Sequence, residues 1–146
     1  MTMYEEALVF ATERHEGQTR WDGGAYIRHP ESVAKHFSDD LHKTVAVLHD
    51  VVEDKRATSQ EIKDLFGSQV ERAVDALSRR SGESYKDFVR RCAKNPVAKA
   101  VKVADIEDNM GDVSATNPEA IEKAKNLKDK RYIPALLFLQ GDNSEY

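Results

Sequence analysis

The stretch from Val45 to Asp54 constrains this chain more than any other. Val45, Ala46, Val47 and Leu48, then Val51 and Val52, read as buried helix. Inside that run stand His49, Asp50, Glu53 and Asp54. Burying unpaired charge is costly. A chain that takes this segment into its interior with its titratable side chains is building a site rather than plain core.

Helical spacing recurs along the rest of the chain. Tyr4, Leu8 and Ala11 share a face with His15, and Gly17 stops that helix. Gln18 to Arg28 holds two glycines and little periodicity, so it reads as a loop. His29-Pro30 opens a second helix. Asp39 or Asp40 caps a third, which carries the Val45–Asp54 segment. Thr58-Ser59-Gln60-Glu61 is a capping box, and Phe66-Gly67 closes the helix behind it. Val70, Ala73, Val74 and Leu77 form the next apolar stripe. Ser84 with Asp87, Pro96, and Asn117-Pro118 mark later helix starts, and Tyr132 to Leu139 supplies a last apolar segment. No strand, internal repeat or linker is legible. The expectation is one all-α domain over residues 1–146, a bundle of about seven to nine short helices, with 141–146 as a fraying tail.

Composition narrows the function. The net charge of −4 argues against broad nucleic-acid binding, which needs a basic face. It leaves room for a small anionic ligand where basic groups gather locally. No apolar run approaches a membrane span, and the N-terminus lacks the pattern of a signal peptide. The single Cys92 excludes an internal disulfide framework and fits a reducing, cytoplasmic compartment.

Positions four apart share a helix face, so a continuous helix sets His49 near Glu53 and Asp50 near Asp54. If His49 and Asp50 hold a cation, the second carboxylate pair lies where a general base for an activated water is needed. Two further ligands are wanted. His29, at a helix start, and Asp105, which interrupts the apolar Val101–Ala104 run, are the candidates, with Asn109 one turn beyond Asp105. Two imidazoles and two carboxylates suit Mn²⁺, Fe²⁺ or Zn²⁺. A His-Asp dipeptide on its own also reads as a plain helix-surface pair; the Glu53-Asp54 echo argues for the site. No glycine-rich phosphate loop, zinc-finger spacing or nucleophile elbow competes with it.

An ordered set of motifs carries a resemblance. His15-Glu16-Gly17-Gln18-Thr19-Arg20, Tyr26-Ile27-Arg28-His29-Pro30, Leu48-His49-Asp50-Val51-Val52-Glu53-Asp54, Phe66-Gly67, and Lys102-Val103-Ala104-Asp105 with Asn109-Met110 follow one another in that order. The chain resembles, over residues 4–140, the HD-domain hydrolase half of the bifunctional alarmone synthetase/hydrolases and the free-standing small alarmone hydrolases. The resemblance implies an all-helical fold with one Mn²⁺ held by His29, His49, Asp50 and Asp105. It implies that Glu53 and Asp54 orient and deprotonate the attacking water. The reaction it implies removes pyrophosphate from the 3′ position of guanosine tetra- or pentaphosphate, a purine polyphosphate. Arg20 matches an arginine that stacks on guanine, and Asn109 an asparagine near the ribose. No synthetase region follows, so the implied activity is degradation alone. Another divalent metal and a homo-oligomer stay open.

The chain also departs from that pattern. Trp21 stands where the family usually has lysine, either as a purine-stacking surface or as cover for the core edge. The family's Ala-Asp-Arg-Leu-His-Asn-Met-Arg becomes Ala104-Asp105-Ile106-Glu107-Asp108-Asn109-Met110-Gly111, without two basic residues and a histidine. Lys123, Lys125 and Lys128 are candidates to supply charge for substrate binding. Hydrolysis of a different nucleotide phosphate is therefore the alternative reading. A non-catalytic nucleotide sensor is a third, which the water-activating pair argues against.

Elsewhere the plainer readings lead. His15 packs behind the site rather than ligating, and His36 and His42 are surface residues. Arg79-Arg80 and Arg90-Arg91 read as solvated faces and Cys92 as a small core residue. Glu83 and Tyr85 either line the pocket mouth or cap and pack.

Overall fold

Side-chain caps fix where most helices begin. A computed structural model describes residues 1–19, 24–111, 117–141 and 146. Thr2 and Glu5 form a capping box at α1 (Met3–Arg14). Helix α2 (Arg28–Ala34) follows the loop. Of the two candidate aspartates, Asp39 caps α3 (Asp40–Leu48), accepting from the His42 amide. The Thr58–Glu61 capping box opens α4 (Ser59–Phe66), and Gly67, at φ 93°, separates it from α5 (Ser68–Ala76). Ser84 caps α6 (Tyr85–Cys92), Asn95 caps α7 (Pro96–Met110) and Asn117 caps α8 (Pro118–Leu127). A π-helical turn (Lys128–Tyr132) leads into α9 (Ile133–Leu139). The described residues thus form nine α-helices and no named strand, as the periodicity predicts.

Helix α3 is the centre of the packing. Thr44, Val45, Ala46, Val47 and Leu48 are all buried, so it presents apolar surface on every side. It meets α1, α2, α5 and α7. Ala7 and Ala11 of α1, Val33 and Ala34 of α2, and Val70, Ala73 and Val74 of α5 close around it. A second apolar cluster joins Val89, Ile106, Ala135 and Leu139, from α6, α7 and α9. Among the described residues no helix is long and apolar enough to cross a membrane.

Two expectations need correction. The third helix does not run through Asp54; it ends at Leu48, and His49 to Lys55 continue as successive turns. The His49 ring is the local cause. Its Nδ1 lies 2.5 Å from the Ala46 carbonyl, the acceptor that a continuing helix would give to the Asp50 amide. Lys55 then takes φ 59°, and the amides of Arg56 and Ala57 both donate to the Val51 carbonyl. Arg91 is not a solvated charge. Its guanidinium bonds Glu83 through Nε at 3.0 Å and Nη2 at 2.9 Å, and also donates to the carbonyls of Asp75, Ala76 and Ser78. It thereby satisfies carbonyls at the α5 C-terminus and ties them to α6.

Other plain readings hold. Cys92 is buried against the Ala76 carbonyl, and burial pushes its thiol up to about 11. His36 is exposed, and the His42 ring pairs with Asp39 at 2.6 Å. Of the expected tail, residues 142–145 lie outside the described residues, while the Tyr146 ring stacks on Phe138 at 4.7 Å.

The Glu83–Arg91 clasp makes an acid-stability prediction. Arg91, helped by the Arg80 amide, holds the Glu83 carboxyl down to about 2. A depressed carboxylate stabilises the fold fully above its unfolded pKa, and that contribution is lost as pH falls towards the folded value. Wild type should therefore lose thermal stability between about pH 4.5 and 2 more steeply than Glu83→Gln. Equal slopes in a pH series of unfolding midpoints would refute the clasp.

Candidate metal centre

Three elements deliver the metal-type ligands to one buried point. His29 lies in the first turn of α2, His49 caps the end of α3, and Asp105 lies on the inner face of α7. They are 5%, 3% and 6% exposed, so the packing of α2 and α7 on α3 brings them together out of water. His29 Nε2 is 2.8 Å and His49 Nε2 3.2 Å from Asp105 Oδ1. One ligand atom from each residue falls within a common 4.8 Å. Two ring nitrogens converging on a carboxylate oxygen fit a divalent ion by donor type and by spacing. Asp50 stands beside this set: its Oδ2 is 3.3 Å from His49 Nε2 and accepts the Tyr26 hydroxyl at 2.5 Å.

Further contacts orient each ligand. His29 Nδ1 pairs with Asp108 Oδ2 at 2.7 Å, and Ser32 Oγ donates to Asp108 Oδ1 at 2.5 Å. His49 Nδ1 is held by the Ala46 carbonyl. With Nδ1 engaged, each Nε2 is turned to the centre. Lys102 Nζ binds Asp105 Oδ2 at 3.1 Å and lies 4.9 Å from the Phe88 ring centre.

The electrostatics follow from this crowding. Burial alone would raise Asp105, but Lys102 and the two imidazoles hold it well below the usual carboxylate range. Burial alone would lower His49, but Asp50 and Asp105 push it up to about 10; Asp105 and Asp108 raise His29 in the same way.

Of the second carboxylate pair, Glu53 borders this centre and Asp54 is not among the residues lining the cleft. Glu53 is exposed, accepts the Arg79 amide at 2.7 Å, and lines the cleft over the ligands. Partial desolvation, with Asp50 and Asp54 nearby, raises its carboxyl against the effect of the Arg79 amide. Asp54 accepts the Gln18 side-chain amide at 3.0 Å. The cleft, about 310 Å³, is also lined by Thr19, Tyr26, Phe88 and Asn109. Asn109 Nδ2 is 3.5 Å from Asp105 Oδ1.

The expected substrate contacts are scattered. Arg20 and Trp21 lie outside the described residues. Lys123 lines a separate surface groove of about 600 Å³ along α8 and the π-helical turn, with Lys130 and Arg131. Lys128 begins that turn, and neither Lys123 nor Lys128 lines the cleft over the ligands. Sequence reasoning gave no role to Tyr26, Ser32, Lys102 or Asp108. A signal for three of them exists in helix periodicity: Lys102 and Asp108 lie three residues either side of Asp105, and Ser32 three after His29.

Fold and site together define an all-helical protein with a buried His-His-Asp centre. The chain belongs to the HD-domain family, whose profile, "HD domain", matches residues 7–107. It is 32% identical over 129 residues to a guanosine-3′,5′-bis(diphosphate) 3′-pyrophosphohydrolase of Vibrio cholerae, covering 78% of this chain and 18% of that protein. It is 30% identical over 129 residues to the bifunctional (p)ppGpp synthase/hydrolase SpoT of Escherichia coli, with the same coverage. It is 30% identical over 142 residues to a guanosine-3′,5′-bis(diphosphate) 3′-pyrophosphohydrolase of Aquifex aeolicus, covering 89% of this chain and 20% of that protein. The chain thus spans about a fifth of the length of these relatives. Among solved structures, that of a metazoan SpoT ortholog described as hydrolysing ppGpp aligns with TM-score 0.67 and 22% identity. The alignment covers 100% of this chain and 98% of that one, a likeness of fold.

Two outcomes test the centre. A divalent ion binds neutral imidazole, so it must displace the proton that His49, pushed up to about 10, retains through neutral pH, and the raised His29 acts in the same direction. Mn²⁺ affinity should therefore rise with pH from about 6 to about 9, with protons released on binding. Calorimetry in buffers of different ionisation enthalpy measures both, and a pH-independent affinity contradicts the ligand set. Asp108→Ala should weaken Mn²⁺ binding about ten- to a hundredfold, the scale of losing a carboxylate that orients a ligating histidine.

Proposed function

We propose that residues 1–146 act as one metal-dependent phosphohydrolase domain, removing the 3′-pyrophosphate of guanosine 3′,5′-bis(diphosphate). The observation that carries the reading is the buried convergence of His29, His49 and Asp105 beneath a cleft rimmed by Glu53. The names of the curated relatives support the substrate. In this reading His29, His49, Asp50 and Asp105 hold the ion, with Mn²⁺ as the proposed metal. Bound there, a divalent ion supplies Lewis-acid polarisation of a phosphoryl oxygen and a lowered pKa for water.

The chain's own residues do the rest. Glu53, at the rim and with a raised carboxyl, takes the proton of the attacking water, and Asp54 orients that water. The water oxygen bonds to phosphorus as the bond between the 3′ oxygen and phosphorus breaks, and the proton taken by Glu53 is returned to the 3′ oxygen, leaving guanosine 5′-diphosphate and pyrophosphate. Tyr26 fixes Asp50, and Asp108 fixes His29, so the ligands enter the reaction already oriented. Asn109, Arg20 and Trp21 are proposed to contact the nucleoside, with Lys123 and Lys128 supplying charge from α8 and the π-helical turn. The single buried thiol suits a reducing cytoplasm.

A second reading, the same chemistry on a different nucleotide phosphate, draws on one observation. Asp108 stands where the resembled family has a histidine, and its carboxylate is engaged with His29 and Ser32. A panel of nucleotides incubated with the Mn²⁺-loaded protein, with products identified, decides between the two. Pyrophosphate released from guanosine 3′,5′-bis(diphosphate) supports the first; turnover of another nucleotide alone supports the second. Glu53→Gln and Asp54→Asn should retain Mn²⁺ and slow turnover about a hundredfold or more, the scale of general-base loss. Full activity in both variants overturns the mechanism.

A further inference from the structure

The segment His15-Glu16-Gly17-Gln18 is unused by the mechanism above, yet it reaches that mechanism through one side chain. Helix α1 ends at Arg14, and His15 caps it with its ring buried. Gly17 then takes φ 83°, a conformation that side-chain-bearing residues adopt at a cost. This turns the chain so that the Gln18 amide donates to the His15 carbonyl at 2.9 Å, while the Gln18 carbonyl accepts from the Tyr26 amide at 2.9 Å. With its backbone held at both ends, Gln18 bridges two groups. Its Oε1 is 2.9 Å from His15 Nδ1, and its Nε2 is 3.0 Å from Asp54 Oδ2.

The hydrogen-bond chemistry gives this bridge one direction. An ionised carboxylate only accepts, so the Gln18 NH₂ faces Asp54. Oε1 therefore faces the imidazole, and His15 Nδ1 is the donor. Among the described residues the other ring nitrogen, His15 Nε2, is buried without a hydrogen-bond partner, so the contact to Gln18 is the ring's polar engagement there. The same ring packs at 5.0 Å against Tyr26, whose hydroxyl donates to Asp50. Packing alone has no use for a buried imidazole aimed at an amide that is in turn aimed at a carboxylate.

We propose that His15 and Gln18 are positioning residues for Asp54. His15 sets which way the Gln18 amide points, and Gln18 holds Asp54 Oδ2 so that Oδ1 is left for the attacking water. The inference rests on the role given to Asp54 under the proposed function.

Nuclear magnetic resonance of the ¹⁵N-labelled full chain tests the geometry without turnover. Wild type should carry the His15 proton on Nδ1, and Gln18→Leu should release it to the other nitrogen. A wild-type proton on Nε2 alone overturns the bridge. Turnover is then measured on the Mn²⁺-loaded chain with guanosine 3′,5′-bis(diphosphate), or with the panel nucleotide that turns over. Gln18→Leu should lower kcat about tenfold or more, the cost of a misplaced catalytic group, with KM and Mn²⁺ affinity unchanged. His15→Leu should do the same. His15→Asn should restore most of the rate, because its side-chain NH₂ stands close to where Nδ1–H stood. In an Asp54→Asn background, Gln18→Leu should have no further effect. If Asp54→Asn is slow and Gln18→Leu is not, the positioning role falls and the reading of Asp54 stands. If Asp54→Asn is as fast as wild type, or wild type turns over nothing in the panel, the reading of Asp54 falls and takes this inference with it.

Discussion

The neutralisation of Asp105 is the interaction on which the rest of this structure depends. Its carboxylate is taken almost wholly out of water by α7 packing against α2 and α3. Such a charge is tolerable only when the groups around it compensate. Lys102 approaches one oxygen, and the two imidazoles approach the other. Each of these comes from a position that the hydrophobic packing fixes: Lys102 from one turn earlier on α7, His29 from α2, His49 from the end of α3. The apolar core and the metal-type cluster are therefore one construction. Removing any partner strands a buried charge, and loosening the helices strands all of them.

Much of this was legible in the residues. Thr58, Ser84 and Asn117 mark helix starts because a short polar side chain can satisfy amides that the first turn leaves unpaired. His49 and Asp105 stand out because charge-capable side chains interrupt apolar periodicity, and His29 because it opens a helix after a polar loop. The end of α3 was not legible. Periodicity registers which faces are apolar, whereas a ring nitrogen that captures a backbone carbonyl is a local competition invisible to it. Arg91 departs from its expected solvated place for a related reason: charge in a sequence predicts exposure until helix-end carbonyls gather around it.

The break after Leu48 also changes how the two halves of the motif divide their work. On a continuous helix, His49 and Glu53 would share one environment. Here His49 stays in the buried end of α3, while Glu53 sits on exposed turns at the rim of the cleft. A ligand benefits from burial because its geometry is then fixed by packing. A proton acceptor needs access to water and a carboxyl that is not over-stabilised as its anion. In the proposed mechanism, ending the helix between them lets one short segment provide both.

The acidic stretch after Asp105 has a matching consequence. In the resembled family this stretch is basic, which favours a polyanionic substrate by long-range attraction. Here the carboxylate at 108 is directed at His29 and Ser32, not at solvent. The stretch loses basic charge, while the imidazole gains a partner that fixes its ring. The exchange trades attraction for an anionic ligand against firmer orientation of a metal-type ligand. In the proposed reading, attraction for a nucleotide phosphate must then come from other elements, such as α8 and the π-helical turn that carry Lys123 and Lys128, while the geometry of the metal-type ligands stays fixed by the helix packing.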